Sequence, residues 1–90
     1  MSARFPLGQT VATLGALEIL ESTNTPPLML LARHQSGDWG DVPPEDATEN
    51  ELSVEQGFRI LSSYQIGQQR LWVITEADRS VTTILRPDDY

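Results

Sequence analysis

The sequence predicts one small α+β domain in which helices precede an antiparallel β-meander. Its 90 residues are the length of a single domain. Apolar residues recur at helical spacing in the first part of the chain and alternate with a period of two from Phe58 onward. We expect two to three N-terminal helices (within 13–57) packed on a C-terminal three-stranded antiparallel β-meander (58–86). An arm or edge strand (1–12) and a tail (87–90) complete the single domain, 1–90.

Capping residues and apolar spacing predict three helices. Thr13 is a suitable N-cap for a first, short helix. Thr25, followed by a proline, predicts the start of a second helix, and Gly37 is expected to end it in a left-handed conformation. The third helix is expected over residues 45–56, where an acidic first turn complements the helix dipole and Gly57 follows. Its thin apolar face predicts a surface position.

Three strands follow, because apolar and polar residues alternate over three short segments. We place them at 58–66, 70–76 and 81–85. The segments between them, 67–69 and 77–80, are turns too short for a crossover. Consecutive strands joined in this way must be antiparallel.

The net charge is concentrated in one segment. The chain has 13 acids and six basic residues, and all six are arginine. Seven acids and no base lie between Asp38 and Glu55, while the rest of the chain holds six acids and six arginines. Phosphate binding needs clustered basic side chains, so direct nucleic-acid binding is not expected. The segment is either a solvated helix that aids solubility or an acidic face that binds a basic protein partner or mimics nucleic acid.

The absence of cysteine excludes disulfides, thiolate zinc sites and thiol catalysis. It also favours a reducing compartment. The first residues contain no apolar run of signal-peptide length, and no stretch approaches the ~20 apolar residues of a membrane span. We therefore expect a cytoplasmic bacterial protein with no membrane contact.

Four acids could gather around Mg²⁺ or Ca²⁺: Asp38, Asp41, Glu45 and Asp46. Their spacing matches no calcium loop, because the alternate ligands and the distal glutamate are missing. The sequence also contains no phosphate loop, dinucleotide fingerprint or serine elbow. We expect neither a metal nor a cofactor.

A few side chains could carry chemistry, and each has a plainer structural alternative. His34, the only histidine, is either a general acid or base or a residue bonded to a carbonyl, Asp38 or Asp41. Glu76 and Arg79 are either a surface ion pair or a carboxylate base with a phosphate clamp. Trp39 either anchors a partner or folds back over the edge of the core. The candidates for partner binding are Trp39, Asp38, Asp41, Glu45, Asp46 and Glu49.

Three stretches resemble a family of small proteins carried on plasmids and integrative elements of proteobacteria. They are residues 32–40 (ARHQSGDWG), Asp46 with Asn50-Glu51, and residues 72–85 (WVITEADRSVTTIL) with 87–90 (PDDY). Some members are labelled as related to type I restriction-modification. This chain has no methyltransferase cofactor motif to support that label. The resemblance covers nearly the whole chain and implies that the protein belongs to a mobile element.

The order of helix, Arg-His pair, acidic helix and three strands is also similar to the barnase/RelE-like ribonuclease fold. That similarity implies metal-independent RNA cleavage, with His34 as acid or base. It implies that Arg33 and Arg79 bind phosphate and that Glu76 or Tyr64 assists. The chain departs from that fold in its acidic charge and in lacking a predicted fourth strand.

These observations lead to one preferred function and two alternatives. We expect a non-enzymatic accessory or interaction protein of a mobile genetic element that uses an acidic face, with a protein partner or as a homo-oligomer. The first alternative is the metal-independent ribonuclease. The second is a nucleic-acid mimic that inhibits a host defence system.

Overall fold

The computed structural model describes residues 3–90 and has the α+β composition that the sequence predicts. The first two residues of the predicted arm lie outside the described residues. The elements in chain order are β1 (Gln9–Ala12), α1 (Leu14–Ser22), α2 (Pro27–Ser36), α3 (Pro44–Gln56), β2 (Ile60–Ile66), β3 (Gln69–Thr75), β4 (Val81–Leu85) and a final 3-10 turn (Pro87–Asp89).

The sheet has four strands and is mixed, so the prediction of a purely antiparallel, three-stranded sheet is wrong. β2, β3 and β4 pair antiparallel in sequence order. β1 adds to the outside of β4 in parallel, with Gln9 opposite Val81, and the strand order is β1-β4-β3-β2. Pairing between distant, parallel segments produces no turn signal, so the sequence pattern of β1 fitted an arm as well as an edge strand.

Local residues determine where the first two helices begin and end. Thr13 caps α1, since its Oγ1 accepts the backbone N–H three residues later at 3.2 Å. Gly37 ends α2 with φ 94°, in the left-handed region that favours glycine. The start of α2 differs from the prediction. Pro26 is the N-cap and Pro27 the first helical residue, while the Thr25 hydroxyl makes no cap hydrogen bond.

The first two helices pack on one face of the sheet and form the main core. Its buried members are Ala16, Ile19, Leu20, Leu30, Leu31, Tyr64, Ile66, Leu71, Val73 and Ile84. A second cluster combines Phe5 of the arm with Trp39 and Ile60. The arm therefore closes one end of the core.

α3 lies beside β2, the strand at the far edge of the sheet from β1. It begins at Pro44, one residue before the predicted start. The side chain of Asn50 donates to the carbonyl of Leu61 at 2.8 Å and accepts its N–H at 3.2 Å. The loop at 39–41 adds backbone hydrogen bonds to Ser63. The outer edge of β2 is therefore covered, and the opposite side of α3 faces solvent.

Candidate functional site

His34 lies within a chain of buried hydroxyl groups. Its Nδ1 is 2.6 Å from Oγ of Ser62, and its Nε2 is 2.9 Å from Oγ1 of Thr75. The Thr75 oxygen is 2.7 Å from Oγ1 of Thr82, which donates to the carbonyl of Leu7 at 2.7 Å. The four side chains expose 0% of their surface. The chain thus joins α2 to β2, β3, β4 and the arm.

The last acceptor, the carbonyl of Leu7, determines the direction of the hydrogen bonds as far as Nε2 of His34. A backbone carbonyl only accepts, so Thr82 donates to Leu7 and must accept from Thr75. Thr75 has then used its proton, and it accepts the N–H of Nε2 of His34. Nε2 therefore carries a proton. Because burial keeps the imidazole neutral, Nδ1 has no proton and accepts from Ser62.

The surroundings keep this imidazole neutral and out of reach. Burial, and secondarily the charge of Arg79, lowers the pKa of His34 to about 4. The ring centres of Phe5 and Trp39 lie 5.2 Å and 6.1 Å from that of the imidazole. A general acid or base must reach its substrate and exchange a proton near the working pH. His34 does neither here, nor does it bond to an aspartate or a carbonyl, as the structural alternative expected.

Arg33 contacts the loop that follows α2. Its Nε donates to Oδ2 of Asp38 at 2.6 Å, and this bond lowers the pKa of the carboxyl. Its guanidinium lies 4.3 Å from the ring centre of Tyr64. The Tyr64 hydroxyl donates to the carbonyl of Asp38 at 2.6 Å, and burial raises its pKa to about 12. Both candidates are thus engaged in holding this loop against β2.

Arg79 binds backbone carbonyls instead of a carboxylate. It donates to the carbonyl oxygens of Phe58 and Ser53 at 2.7 Å each, and to that of Glu76 at 3.1 Å. Ser53 lies in the last turn of α3, where unpaired carbonyls and the helix dipole favour a cation. Within residues 3–90 no ion pair joins Arg79 to the carboxylate of Glu76. The guanidinium therefore ties the last hairpin to α3.

Trp39 is folded back over the edge of the core. It is 6% exposed and stacks on Phe5 with ring centres 6.3 Å apart. Its Nε1 donates to Oε2 of Glu51 at 3.0 Å. The Glu51 carboxylate also binds Arg4 through two hydrogen bonds, of 2.7 and 3.0 Å. Glu51 thus joins the arm, the tryptophan loop and α3, a role that the sequence did not indicate.

The seven acids of the 38–55 segment fall into two groups. Asp38, Asp41 and Glu51 each form an ion pair with an arginine from outside the segment. These pairs remain largely exposed, with the carboxylate side chains 48%, 61% and 52% accessible. The other four are exposed on α3 and take part in no ion pair of the described chain: Glu45, Asp46, Glu49 and Glu55. We call these four, which follow the solvent side of α3, the acidic face.

A groove of about 240 Å³ meets the acidic face at Asp46. Val42, Pro43, Leu61 and Trp72 form its apolar walls, and the polar groups that line it are Asp41, Asp46, Ser63 and Arg70. Arg70 donates to Oγ of Ser63 at 2.9 Å and lies 3.6 Å from Oδ2 of Asp41. No arginine pairs with Asp46 in the described chain. The groove therefore combines apolar walls with an uncompensated carboxylate.

Sequence reasoning missed the hydroxyl partners of His34 and the groove residues other than Asp41 and Asp46. Ser62 and Thr75 occupy strand positions that face the core. A buried hydroxyl needs a partner, and the only histidine of the chain was one candidate. That signal was present in the alternation pattern. The approach of Trp72 to α3 had no comparable signal, because it depends on where the helix packs.

The described residues give no arrangement suited to a metal. No three His, Asp or Glu side chains in residues 3–90 are placed to hold an ion. Two of the four acids considered for Mg²⁺ or Ca²⁺, Asp38 and Asp41, instead face arginines. In the same part of the chain, the helices are too short and too polar for any of them to cross a membrane.

The chain was compared with known proteins at three levels: family models, curated proteins and solved structures. None of the three gives a match.

Proposed function

We propose that this protein is a non-enzymatic interaction module that binds a basic segment of a partner protein. The binding surface is the acidic face of α3 together with the groove beside it. The single observation that carries the proposal is the division of the acids. Three of the seven have arginine partners within the chain, and the four on the acidic face have none among the described residues.

The acidic face only partly suits its own helix: Glu45 and Asp46 lie in the first turn, where the helix dipole favours an anion, but other features of the face are unfavourable. Glu45 and Glu49 are four positions apart on α3, where like charges repel by about 0.2–0.5 kcal/mol. Glu55 lies in the last turn, where the helix dipole disfavours an anion. Helix stability alone would favour a mixture of charges at these exposed positions. A cationic partner would remove both penalties on binding.

The groove adds apolar walls that a cationic side chain can lie along. A lysine or arginine from a partner could lay its aliphatic stem along Pro43 and Trp72 and place its cation beside Asp46. Arg70 partly neutralises Asp41 on the other wall, so the strongest attraction lies on the helix side. The groove favours an extended basic peptide that crosses from Asp46 onto the acidic face.

The enzyme alternative receives less support from the same structure. It requires His34 to meet substrate, and that side chain is 0% exposed between ring systems. It also requires Arg79 to be available for phosphate, whereas its guanidinium already donates to three carbonyls. The interaction role uses the four carboxylates of the acidic face, which are exposed and form no ion pair in the described chain.

A peptide of nine arginines is a suitable probe, because it supplies positive charges and aliphatic side-chain stems and has no fold of its own. In a titration followed by NMR, the amide chemical shifts of residues 41–55 and the indole N–H shift of Trp72 should change. The variant E45K/D46K/E49K should weaken binding by at least about tenfold, because three attractions become repulsions. Binding should also weaken as salt is raised.

A matched control distinguishes binding at the acidic face from non-specific attraction to the net negative charge of the chain. The variant E18K/E21K/D78K reverses three exposed acids elsewhere and changes the net charge by the same amount. It should bind the peptide nearly as well as the original chain. Equal losses of affinity in the two variants, or chemical-shift changes spread over all the acids, would refute the site.

The mimic alternative predicts a different partner. If the original chain bound the DNA-binding cleft of a restriction enzyme and E45K/D46K/E49K did not, that alternative would be supported. The chain resembles a family carried on mobile elements, so its partner is expected among host proteins. A pull-down from host lysate with the same two variants as bait would identify it.

A further inference from the structure

The outer edge of β1 is unpaired in the described chain. The N–H groups of Gln9 and Thr13 donate to carbonyls of the β4 side, those of Ser80 and Ile84. Backbone groups alternate in direction along a strand, so those of Thr10 and Ala12 point away from the sheet. The strand contains no charge, proline or bulge, which are the usual devices that prevent edge pairing.

The two edges of the sheet differ in how far their outward backbone groups are hydrogen-bonded. At the β2 edge, Asn50 occupies both backbone groups of Leu61, and the 39–41 loop bonds to both backbone groups of Ser63. At the β1 edge no residue of the described range 3–90 covers the strand in this way, and three of its four residues are exposed. An open edge next to a covered one indicates a surface suited to strand addition.

An apolar groove adjoins the open edge. It measures about 220 Å³ and lies between β1 and the first two helices, lined by Thr10, Val11, Ala12, Leu17, Pro27, Leu31 and Ile84. The segments that line it carry five of the eight large apolar side chains exposed in the described chain. These are Val11 (40%), Leu14 (81%), Leu17 (45%), Leu28 (76%) and Met29 (52%). Four of them lie on α1 and α2, whereas Val11 is in register with Thr83 and lies on the other face of the sheet. Exposed apolar side chains on both sides of one sheet edge are typical of an interface.

The charge pattern indicates which occupant fits. Residues 5–17 and 22–32 contain no charged side chain, although the whole chain carries −7. Two copies would repel each other wherever their acids meet. The strand β1 itself carries no charge, and the nearest charged groups lie at its flanks, where Asp89 accepts from Thr13 at 2.7 Å and Glu21 lies beside Leu17. β1 is therefore the part of this edge where two copies can approach with the least repulsion.

We propose that β1 pairs antiparallel with β1 of a second copy, forming a two-fold symmetric dimer. In this arrangement Thr10 of each copy exchanges backbone hydrogen bonds with Ala12 of the other. Val11 then lies on the symmetry axis, opposite Val11 of the second copy, as a non-hydrogen-bonded pair. The two sheets become one of eight strands, and the first helices of both copies cover the junction from the same side.

This dimer leaves the proposed binding surface free. α3 lies beside β2, at the other end of the sheet from β1. The dimer would carry two acidic faces at its two ends and could bind a partner with two basic segments. Self-association and peptide binding are therefore separable, and each can fail without the other.

The absence of cysteine provides a direct test. Val11→Cys introduces one thiol per chain at the proposed axis, where a non-hydrogen-bonded pair has Cα atoms about 4.5 Å apart, within the range of a disulfide. In a glutathione redox buffer we expect V11C to form a covalent dimer. Leu52→Cys is the matched control, because Leu52 is 43% exposed and Val11 is 40% exposed. It should form no covalent dimer under the same conditions.

Light scattering tests the dimer without a crosslink. Over a dilution series from about 1 mM to about 1 μM, the original chain should reach about 20 kDa, twice its 10.0 kDa. Val11→Lys should shift it to the monomer mass, and Leu52→Lys should not. A monomer at every concentration would overturn the proposal. So would a dimer that V11K leaves intact, since its interface would lie elsewhere. Circular dichroism of each variant verifies that it is folded.

Discussion

Nε2–H of His34 donates to Oγ1 of Thr75 across 2.9 Å, at a position where neither side chain has any exposed surface. The bond is part of a chain in which every donor has an acceptor, and no buried side-chain polar atom in residues 3–90 lacks a partner. A buried polar network that is fully satisfied favours one arrangement of its elements over others. The histidine that most resembled a catalytic group instead joins α2 to the sheet.

The first prediction concerns acid stability. The pKa of His34 is about 4 in the folded chain, against 6.5 unfolded. Below 6.5 the unfolded state binds a proton that the folded state does not, so stability falls as pH decreases. The loss is complete near pH 4 and amounts to about 3 kcal/mol. Urea unfolding at several pH values measures it. His34→Gln should be less stable at pH 7 but should lose this dependence between pH 6.5 and 4.5. An unchanged pH profile in that variant would contradict the assignment.

The second prediction concerns the hydroxyl of Thr75. Thr75→Val preserves shape but leaves the Nε2–H of His34 without an acceptor. An unsatisfied buried donor costs about 1–3 kcal/mol, and we expect a loss of about 2 kcal/mol in urea unfolding. Thr83→Val is the control, because Thr83 lies on β4 with its side chain on the other face and half-buried. A loss of more than about 0.5 kcal/mol there is not expected. Equal losses in both variants would contradict the hydrogen-bonded chain.

The third prediction concerns Arg79. Arg79→Ala removes donors from three carbonyls, including that of Ser53 at the end of α3. We expect a loss of about 1–3 kcal/mol and faster amide exchange in the last turn of α3. Arg59 is the control, since its guanidinium lies 5.6 Å from the ring centre of the exposed Tyr90. Arg59→Ala should change the free energy of unfolding by less than about 1 kcal/mol. A stable R79A protein with unchanged exchange would show that the guanidinium is not structural.

The fourth prediction separates charge from hydrogen bonding at Glu51. Glu51→Gln loses the ion pair with Arg4 but keeps an oxygen that accepts from Nε1 of Trp39. An exposed pair contributes about 0–1 kcal/mol, so E51Q should be nearly as stable as the original chain. Glu51→Ala also leaves the indole N–H without its acceptor and should lose about 1 kcal/mol more. The measurement is urea unfolding followed by tryptophan fluorescence. If E51Q and E51A were equally stable, the bond to Trp39 would contribute nothing.

Features that depend on neighbouring residues were predictable. Thr13 caps α1 as expected, and Gly37 and Gly57 follow α2 and α3 in left-handed conformations. The period-two pattern correctly located β2, β3 and β4 to within two residues. Caps, turns and alternation act over a few residues, so the chain carries them in its local order.

Features that join distant residues required the folded chain. The candidate site differs most from the sequence-based expectation. His34 bonds to Ser62 and Thr75, which are 28 and 41 positions away, and the arm closes over it. Arginines from outside the acidic segment pair with three of its acids, which reduces the acidic face to the solvent side of α3. Composition revealed that negative charge was concentrated, but it could not reveal which carboxylates would be matched.

Local order along this chain was enough for an α+β domain with capped helices, two hairpins and an acidic helix. The parallel addition of β1, the burial of His34 and the open sheet edge emerged only when distant segments came together. Hydrogen bonds and ion pairs between distant residues depend on packing geometry. No pattern of neighbouring residues encodes that geometry.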